Sequence, residues 1–318
     1  MNRAYCTYFD SHYLAQGITM LRSLQQYDPH APIHVLTFDD LCTLVLNDIF
    51  MGTVRVTRLQ TLRARFPALG ALSGRARWAV YATHKPAFAS FTLETADAVT
   101  FIDADTWFFA DPEPMYREIG NASIGLSPHR FPAAKTGLKV YGLYNAGCIF
   151  WRGDATGRQC LTDWSGDCIE WCDERLPGDG RFMNQGYLNC WPERYPGVHV
   201  IEHPGVNLAP WNLDGHRLAH GAGGVMVDDA PLIFYHFSGL TRDIRGRWHS
   251  IYPLRAANRR WYSFRTPNGL TQDVLYAPYL RAVEAESRLL VKHYGLEGLG
   301  SVRDVKITQE ATLILTGS

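Results

Sequence analysis

At 318 residues, with 46% hydrophobic and 13% aromatic side chains, the chain can bury a large core and is not intrinsically disordered. Its 31 basic residues balance 31 acidic ones, so overall charge points to no nucleic-acid partner. No stretch is long and apolar enough to span a bilayer, and the opening Met1-Asn2-Arg3-Ala4-Tyr5-Cys6 lacks the apolar core of a signal peptide. The expected location is cytoplasmic.

The first hundred residues alternate strand and helix. Ala4–Tyr8 reads as a strand, Tyr13–Tyr27 as a helix with Leu14, Leu21 and Leu24 on one side, and Ile33–Phe38 as a second strand. Helical sequence at Asp40–Ile49, a strand at Val54–Leu59, helical sequence through Trp78–Thr92 and a strand ending at Asp103 follow. This order predicts an α/β fold with a doubly wound, mostly parallel sheet that binds ligands at the carboxyl ends of its strands. Further on, Cys148–Arg152 reads as a buried strand, Ala155–Glu174 as a helix and Arg181–Trp191 as a shorter helix. His199–His203 and Leu232–Phe237 are expected strands, Tyr276–Tyr294 a helix and Val302–Leu315 a strand-like tail.

After Gly239 the texture changes. Arg242, Arg245, Arg247, Arg255, Arg259, Arg260 and Arg265 stand in 24 residues with five aromatics and one acid, Asp243. The expected organisation is a catalytic domain over 1–240 and a basic, aromatic, partly helical extension over 241–318. Such a segment suits peripheral contact with an anionic membrane face or an acceptor carrying phosphate. The seven cysteines are odd in number and lack CxxC spacing, so they read as reduced thiols. Cys168 and Cys172 lie one helical turn apart and are expected to be buried small apolar residues, with no ligand set for zinc around them.

The most informative segment is Val99-Thr100-Phe101-Ile102-Asp103-Ala104-Asp105, an apolar strand ending in two carboxylates. If the chain stays extended, residues i and i+2 point the same way and the pair can share one hard cation. Oxygen ligands suit Mg²⁺ or Mn²⁺, ions that keep positions open for substrate phosphates. A metal-bridged diphosphate site follows.

Several segments together resemble the family 8 glycosyltransferases of the GT-A fold. They are Asp103-Ala104-Asp105, Tyr144-Asn145-Ala146-Gly147, Asn184-Gln185-Gly186 and His236-Phe237-Ser238-Gly239-Leu240-Thr241-Arg242. The resemblance runs from Tyr5 to about Arg242, and its implications are these. Mn²⁺ or Mg²⁺ is held by Asp103, Asp105 and His236, with Ala104 inside the motif. Gly239 and Arg242 belong to an HxxGxxR motif, where Arg242 replaces the usual Lys and keeps a cation for the β-phosphate. Thr7, Tyr8, Asp10 and Tyr13 form a uridine pocket, with Asp10 accepting from the uracil N–H and Tyr13 stacking on the ring. Lys85 touches donor phosphate or sugar; Asn145 approaches the sugar, and Gly147 allows close backbone contact. Asn184-Gln185 stands where the family usually has Asp-Gln, so Asn184 cannot be a carboxylate nucleophile and Gln185 becomes the polar group beside the anomeric carbon.

The implied function is metal-dependent transfer of a sugar from a UDP-sugar, with retention, to a glycan, a lipid-linked glycan or another hydroxyl acceptor. Two other functions fit parts of the sequence. Asp103-Ala104-Asp105-Thr106 also matches the DxDxT of haloacid-dehalogenase-like phosphatases, with Val227-Asp228-Asp229 as late metal-binding acids. The Asn184 substitution also suits a catalytically inert module that binds a sugar or nucleotide.

Overall fold

A computed structural model describes residues 2–72, 74–242, 248–250 and 269–297. In chain order the strands and helices are β1 (Arg3–Phe9), α1 (Leu14–Tyr27), β2 (Ile33–Thr37), α2 (Asp40–Phe50), β3 (Val54–Arg58) and α3 (Leu59–Arg65). Next come α4 (Arg77–Thr92), β4 (Ala98–Ile102), β5 (Thr106–Phe108), α5 (Glu113–Ile119), β6 (Ile124–Pro128), β7 (Tyr144–Arg152) and α6 (Ala155–Glu170). The remainder holds β8 (Val198–Val200), β9 (Leu218–Gly221), β10 (Gly224–Val227), β11 (Ala230–Pro231), β12 (Phe234–His236), β13 (Leu240–Arg242), β14 (Trp248–Ser250) and α7 (Ala277–Tyr294).

The chain divides into two compact units, each built from separated segments. The first comprises Met1–Asp10, His30–Asp103 and Glu113–His203 and holds a seven-stranded sheet in the order β3-β2-β1-β4-β7-β6-β8. Its first four strands are parallel, β7 runs antiparallel to both neighbours, and β6 pairs β8 in parallel. The sheet is therefore mixed and mostly parallel, as the alternating sequence predicts. Buried residues fill every position of β2 and β4, the pattern of strands covered on both faces. A cluster of Trp151, Trp164 and Trp191, with ring centroids 5.3–6.3 Å apart, packs β7 against α6.

The second unit comprises Ser11–Pro29, Ala104–Pro112 and Pro204–Ser318. Here β5 pairs antiparallel with β12, β9, β10 and β11 form a three-stranded sheet, and β13 pairs with β14. The helix expected near the C-terminus is present as α7 and packs on α1, tied by Arg22 Nε to Glu286 Oε1 at 2.8 Å.

Three local expectations are corrected. The chain does not stay extended through the Asp103-Ala104-Asp105 motif: the β4–β7 ladder ends at Ile102, and Ala104 and Asp105 form a turn that leads into β5. The helix expected to Glu174 stops at Glu170, where Arg75 donates to the last-turn carbonyls of Cys168, at 2.7 Å, and Ile169. The helix expected over 181–191 is a 3₁₀ turn at Gly186–Cys190 followed by a short helix at Trp191–Arg194. Met183 is in the left-handed region, and Gly186 lies so close to Gly180 O that a Cβ there would stand 2.5 Å from it. Most of the basic segment and the tail at 302–315 lie outside the described residues. All seven cysteines are free and six are buried, Cys168 and Cys172 among them.

Candidate functional site

In the first unit the candidate residues stand at the carboxyl ends of β1 and β4 and at the start of β7. Asp103 follows β4, and its backbone N–H donates to Gly147 O at 2.9 Å. Lys85, at the middle of α4 and only 3% exposed, donates to Asp103 Oδ1 at 2.9 Å and to Ala146 O at 2.8 Å. Its ammonium lies 4.1 Å from the Phe101 ring centroid, so its charge rests between a carboxylate, a carbonyl and an aromatic face. Lys85 is thus placed to hold Asp103.

Gln185 and Asn145 interlock. Gln185 Oε1 accepts from Asn145 Nδ2 at 3.1 Å and from Ala146 N–H at 3.0 Å, while its Nε2 donates to Tyr141 O at 2.8 Å. Asn145 Oδ1 accepts from Gly147 N–H at 2.9 Å, and its Nδ2 lies 3.3 Å from His129 Nε2. These bonds fix both amides in one orientation.

Asn184 is different. Its Nδ2 donates to Ala82 O at 3.1 Å, inside α4. Pro86 sits four residues after Ala82 and has no N–H, so that carbonyl has lost its helical partner. The Asn184 side-chain amide supplies the missing donor, and the Asn184 backbone carbonyl accepts from Trp164 Nε1 at 2.8 Å. The departure from the usual Asp therefore has a structural cause in this chain.

At the end of β1, Asp10 is buried and its Oδ2 accepts from both Arg77 and the Tyr81 hydroxyl. Burial, and then the hydrogen bond with Asp10, push the Tyr81 phenol well above its ordinary range, so it stays a donor. Tyr81 stacks on Phe38 with centroids 3.8 Å apart, and Tyr8 packs edge-on to Phe38. Thr7 is buried, and its Oγ1 has no partner among the described residues.

The second unit carries Asp105 and His236. Thr106 pairs with His236 across β5 and β12, and Phe237 N–H donates to Asp105 O at 2.7 Å. That register sets His236 Nε2 3.0 Å from Asp105 Oδ1. On its other side His236 Nδ1 lies 3.2 Å from Asn207 Oδ1, and Trp211 packs edge-on to the ring at 5.1 Å. An amide oxygen can only accept, so Asn207 keeps a proton on Nδ1 and leaves Nε2 as the nitrogen that faces Asp105 and is available to a cation. Asn207 is fully buried with φ 57°, a conformation Asn tolerates. Tyr13 ends the 3₁₀ turn before α1, and Ala104 is buried. Gly239 has φ 77°, open to glycine, and Arg242 closes β13 opposite Trp248.

Ala104 alone separates Asp103 from Asp105 in the chain. Asp103, Asp105 and His236 form a group that could hold a metal ion, and two carboxylates with one Nδ1-braced imidazole fit a divalent cation such as Mn²⁺. Sequence reasoning did not single out Arg77, Tyr81, His129 or Asn207. Only Asn207 carried a signal, an Asn at the head of the Asn207–Leu213 loop.

No protein-family model matches the chain. It is 33% identical over 250 residues to the uncharacterized protein YfnF of Bacillus subtilis (strain 168), covering 75% of this chain and 82% of YfnF. Among solved structures it is similar to the galactosyltransferase LgtC in complex with donor and acceptor sugar analogs, with a TM-score of 0.53 at 17% identity over 74% of this chain and 87% of LgtC. Mouse xyloside xylosyltransferase 1 gives a TM-score of 0.51 at 13% identity, over 75% of this chain and 98% of that one. The chain belongs to the family of YfnF, and its fold is the GT-A type of the family 8 glycosyltransferases.

Proposed function

We propose that the protein is a metal-dependent glycosyltransferase that moves a sugar from a UDP-sugar, with retention, to a hydroxyl of a glycan or lipid-linked acceptor. The observation that carries this is the Asp105–His236 contact at 3.0 Å, braced by Asn207 and joined by Asp103, on a GT-A fold. A bound Mn²⁺ or Mg²⁺ would neutralise charge on the departing diphosphate. Asp10, held as an acceptor by Arg77 and Tyr81, takes the uracil N–H; Thr7, Tyr8 and Tyr13 complete the base pocket. Arg242, with Gly239 in the HxxGxxR motif, is assigned to the β-phosphate. The interlocked amides of Asn145 and Gln185, beside Gly147, position the sugar.

With Asn184 bonded to α4, no carboxylate stands at that position to attack the anomeric carbon. The route that fits is front-face substitution: the acceptor oxygen bonds to the anomeric carbon on the face UDP leaves, and the acceptor proton passes to a diphosphate oxygen. The phosphatase alternative is dropped, because Asp103 follows the fourth strand of a GT-A sheet, and Asp228 is engaged by His216 Nδ1 and Arg217 N–H at 2.8 Å each.

The test is a screen of UDP-sugars for hydrolysis with and without EDTA, followed by NMR of the anomeric configuration first released. Mn²⁺-dependent turnover of one donor with retained configuration is expected. Absence of turnover beside tight UDP binding would favour the inert module instead.

A further inference from the structure

The C-terminal helix α7 lies beyond the segments that carry the family resemblance, yet within the second unit it packs a side chain against residues that flank the Asp105–His236 pair. Tyr279 is fully buried, and its ring stacks on Phe237, the residue after His236, at 3.7 Å and 7°. Trp107, two residues from Asp105, packs on the same ring at 5.9 Å. The two rings that hold Tyr279 thus come from β5 and from the residue that follows β12, the paired strands that set Asp105 beside His236. The Tyr279 hydroxyl has no hydrogen-bond partner among the described residues. A buried O–H left unpaired costs about 1–3 kcal/mol, so its retention calls for an acceptor beyond the described residues. Burial, followed by the Asp105 carboxylate, raises the phenol well above its ordinary range, which keeps it a donor. The neighbouring Tyr276 shows the contrast: its hydroxyl lies 3.1 Å from that of Tyr235.

We propose that Tyr279 is a ligand-contact residue of the donor site, whose hydroxyl donates to an oxygen carried by the cation at Asp105 and His236. That oxygen is either a cation-bound water or an oxygen of the donor diphosphate. The inference rests on the proposed function and extends it, because it assigns part of the donor site to a helix outside the recognised motifs.

Tyr279→Phe removes the hydroxyl and keeps the ring, so calorimetry with Mn²⁺ alone, with UDP plus Mn²⁺, and with uridine separates the possibilities. The expected result is a loss of about tenfold in affinity for UDP plus Mn²⁺, the value of one hydrogen bond to a charged oxygen, with uridine unaffected. A matching loss with Mn²⁺ alone assigns the acceptor as cation-bound water; loss only with UDP assigns the diphosphate. The ligand-free variant should melt at or above the parent temperature, since no hydrogen bond among the described residues is removed. Unchanged affinity in both Mn²⁺ arms overturns the inference, as does a ligand-free variant several degrees less stable. If the parent binds no UDP with Mn²⁺, the proposed function falls and this inference with it; if only the variant matches the parent, the inference alone falls.

Discussion

In the first unit Lys85, Asp103, Asn145 and Gln185 direct their polar atoms at one another and at the backbone, whereas in the second Asp105 and His236 meet through an atom that a metal would claim and Tyr279 has a hydroxyl with no partner among the described residues. His236 Nε2 cannot donate to Asp105 and coordinate a cation at once, so binding must exchange a proton for a metal there. The first arrangement is complete before any ligand arrives; the second is poised to change partners. Preorganisation of the Asn145 and Gln185 amides and exchange at the Asp105–His236 pair are thus separate properties of separate units.

The largest expected effect breaks the exchange. Asp105→Ala and His236→Ala should each lower UDP affinity in Mn²⁺ by more than about 100-fold, beyond the 10–100-fold typical of groups that only orient a ligand. Asn207→Ala should fall within that lower range, because it frees the imidazole to rotate or change tautomer without removing it. Calorimetry with and without EDTA reads all three. Parent-like affinity in Asn207→Ala would show that the Nδ1 contact does not orient His236.

Lys85 tests the completed half. Lys85→Met leaves the half-buried Asp103 carboxylate without its counter-charge and should destabilise the metal-free protein by about 1–3 kcal/mol, the range for a buried group left without its partner. Mn²⁺ brings a new positive charge to Asp103, so the gap in melting temperature between variant and parent should narrow when it is added. A gap that Mn²⁺ leaves unchanged would sever Asp103 from the metal group.

Acid sharpens the comparison from another side. His34 and His84, both in the first unit, are lowered to about 4 from an ordinary 6.5, mainly by burial, with Arg55 and Arg63 respectively adding to it. The unfolded chain takes up these protons below about pH 6.5 while the folded chain refuses them until about pH 4. Stability is therefore fully present above pH 6.5 and is lost as pH falls, by up to about 3 kcal/mol for each imidazole. Denaturant melts of parent, His34→Gln and His84→Gln across that window should show the slope reduced in each variant. An identical slope in all three would assign acid sensitivity to other groups.

The alternation of strand and helix over the first hundred residues was legible because apolar spacing in β1, α1, β2, α2, β3, α4 and β4 follows each element's own period. The turn at Ala104-Asp105 was not, since Asp-Ala-Asp contains no Gly or Pro and the turn arises from the pairing of β5 with β12 far along the chain. The same reason hides the bracing groups. Arg77 and Tyr81 reach Asp10 from 67 and 71 residues away, and Asn207 reaches His236 from 29, so no local spacing announces them. Motif residues carry the chemistry and are readable as a pattern; the residues that orient them are ordinary polar side chains whose role exists only in the folded chain.

Asn184 gives the smallest and most discriminating change. Asn184→Asp restores the residue usual at this position, but it turns an amide donor into a carboxylate facing Ala82 O, and two acceptors cannot share a hydrogen bond. The expected cost is about 1–2 kcal/mol of stability at neutral pH, the range for leaving one buried group unsatisfied. Below the titration of the new carboxyl its O–H can donate to the carbonyl again, so the penalty should shrink as pH falls, opposite in sign to the histidine effect. Turnover of the UDP-sugar should stay close to the parent value, because the neighbouring Gln185 keeps its bonds to Asn145, Ala146 and Tyr141. A large gain in turnover with no loss of stability would instead mean that position 184 faces the sugar, and that the missing carboxylate limits the chemistry of this chain.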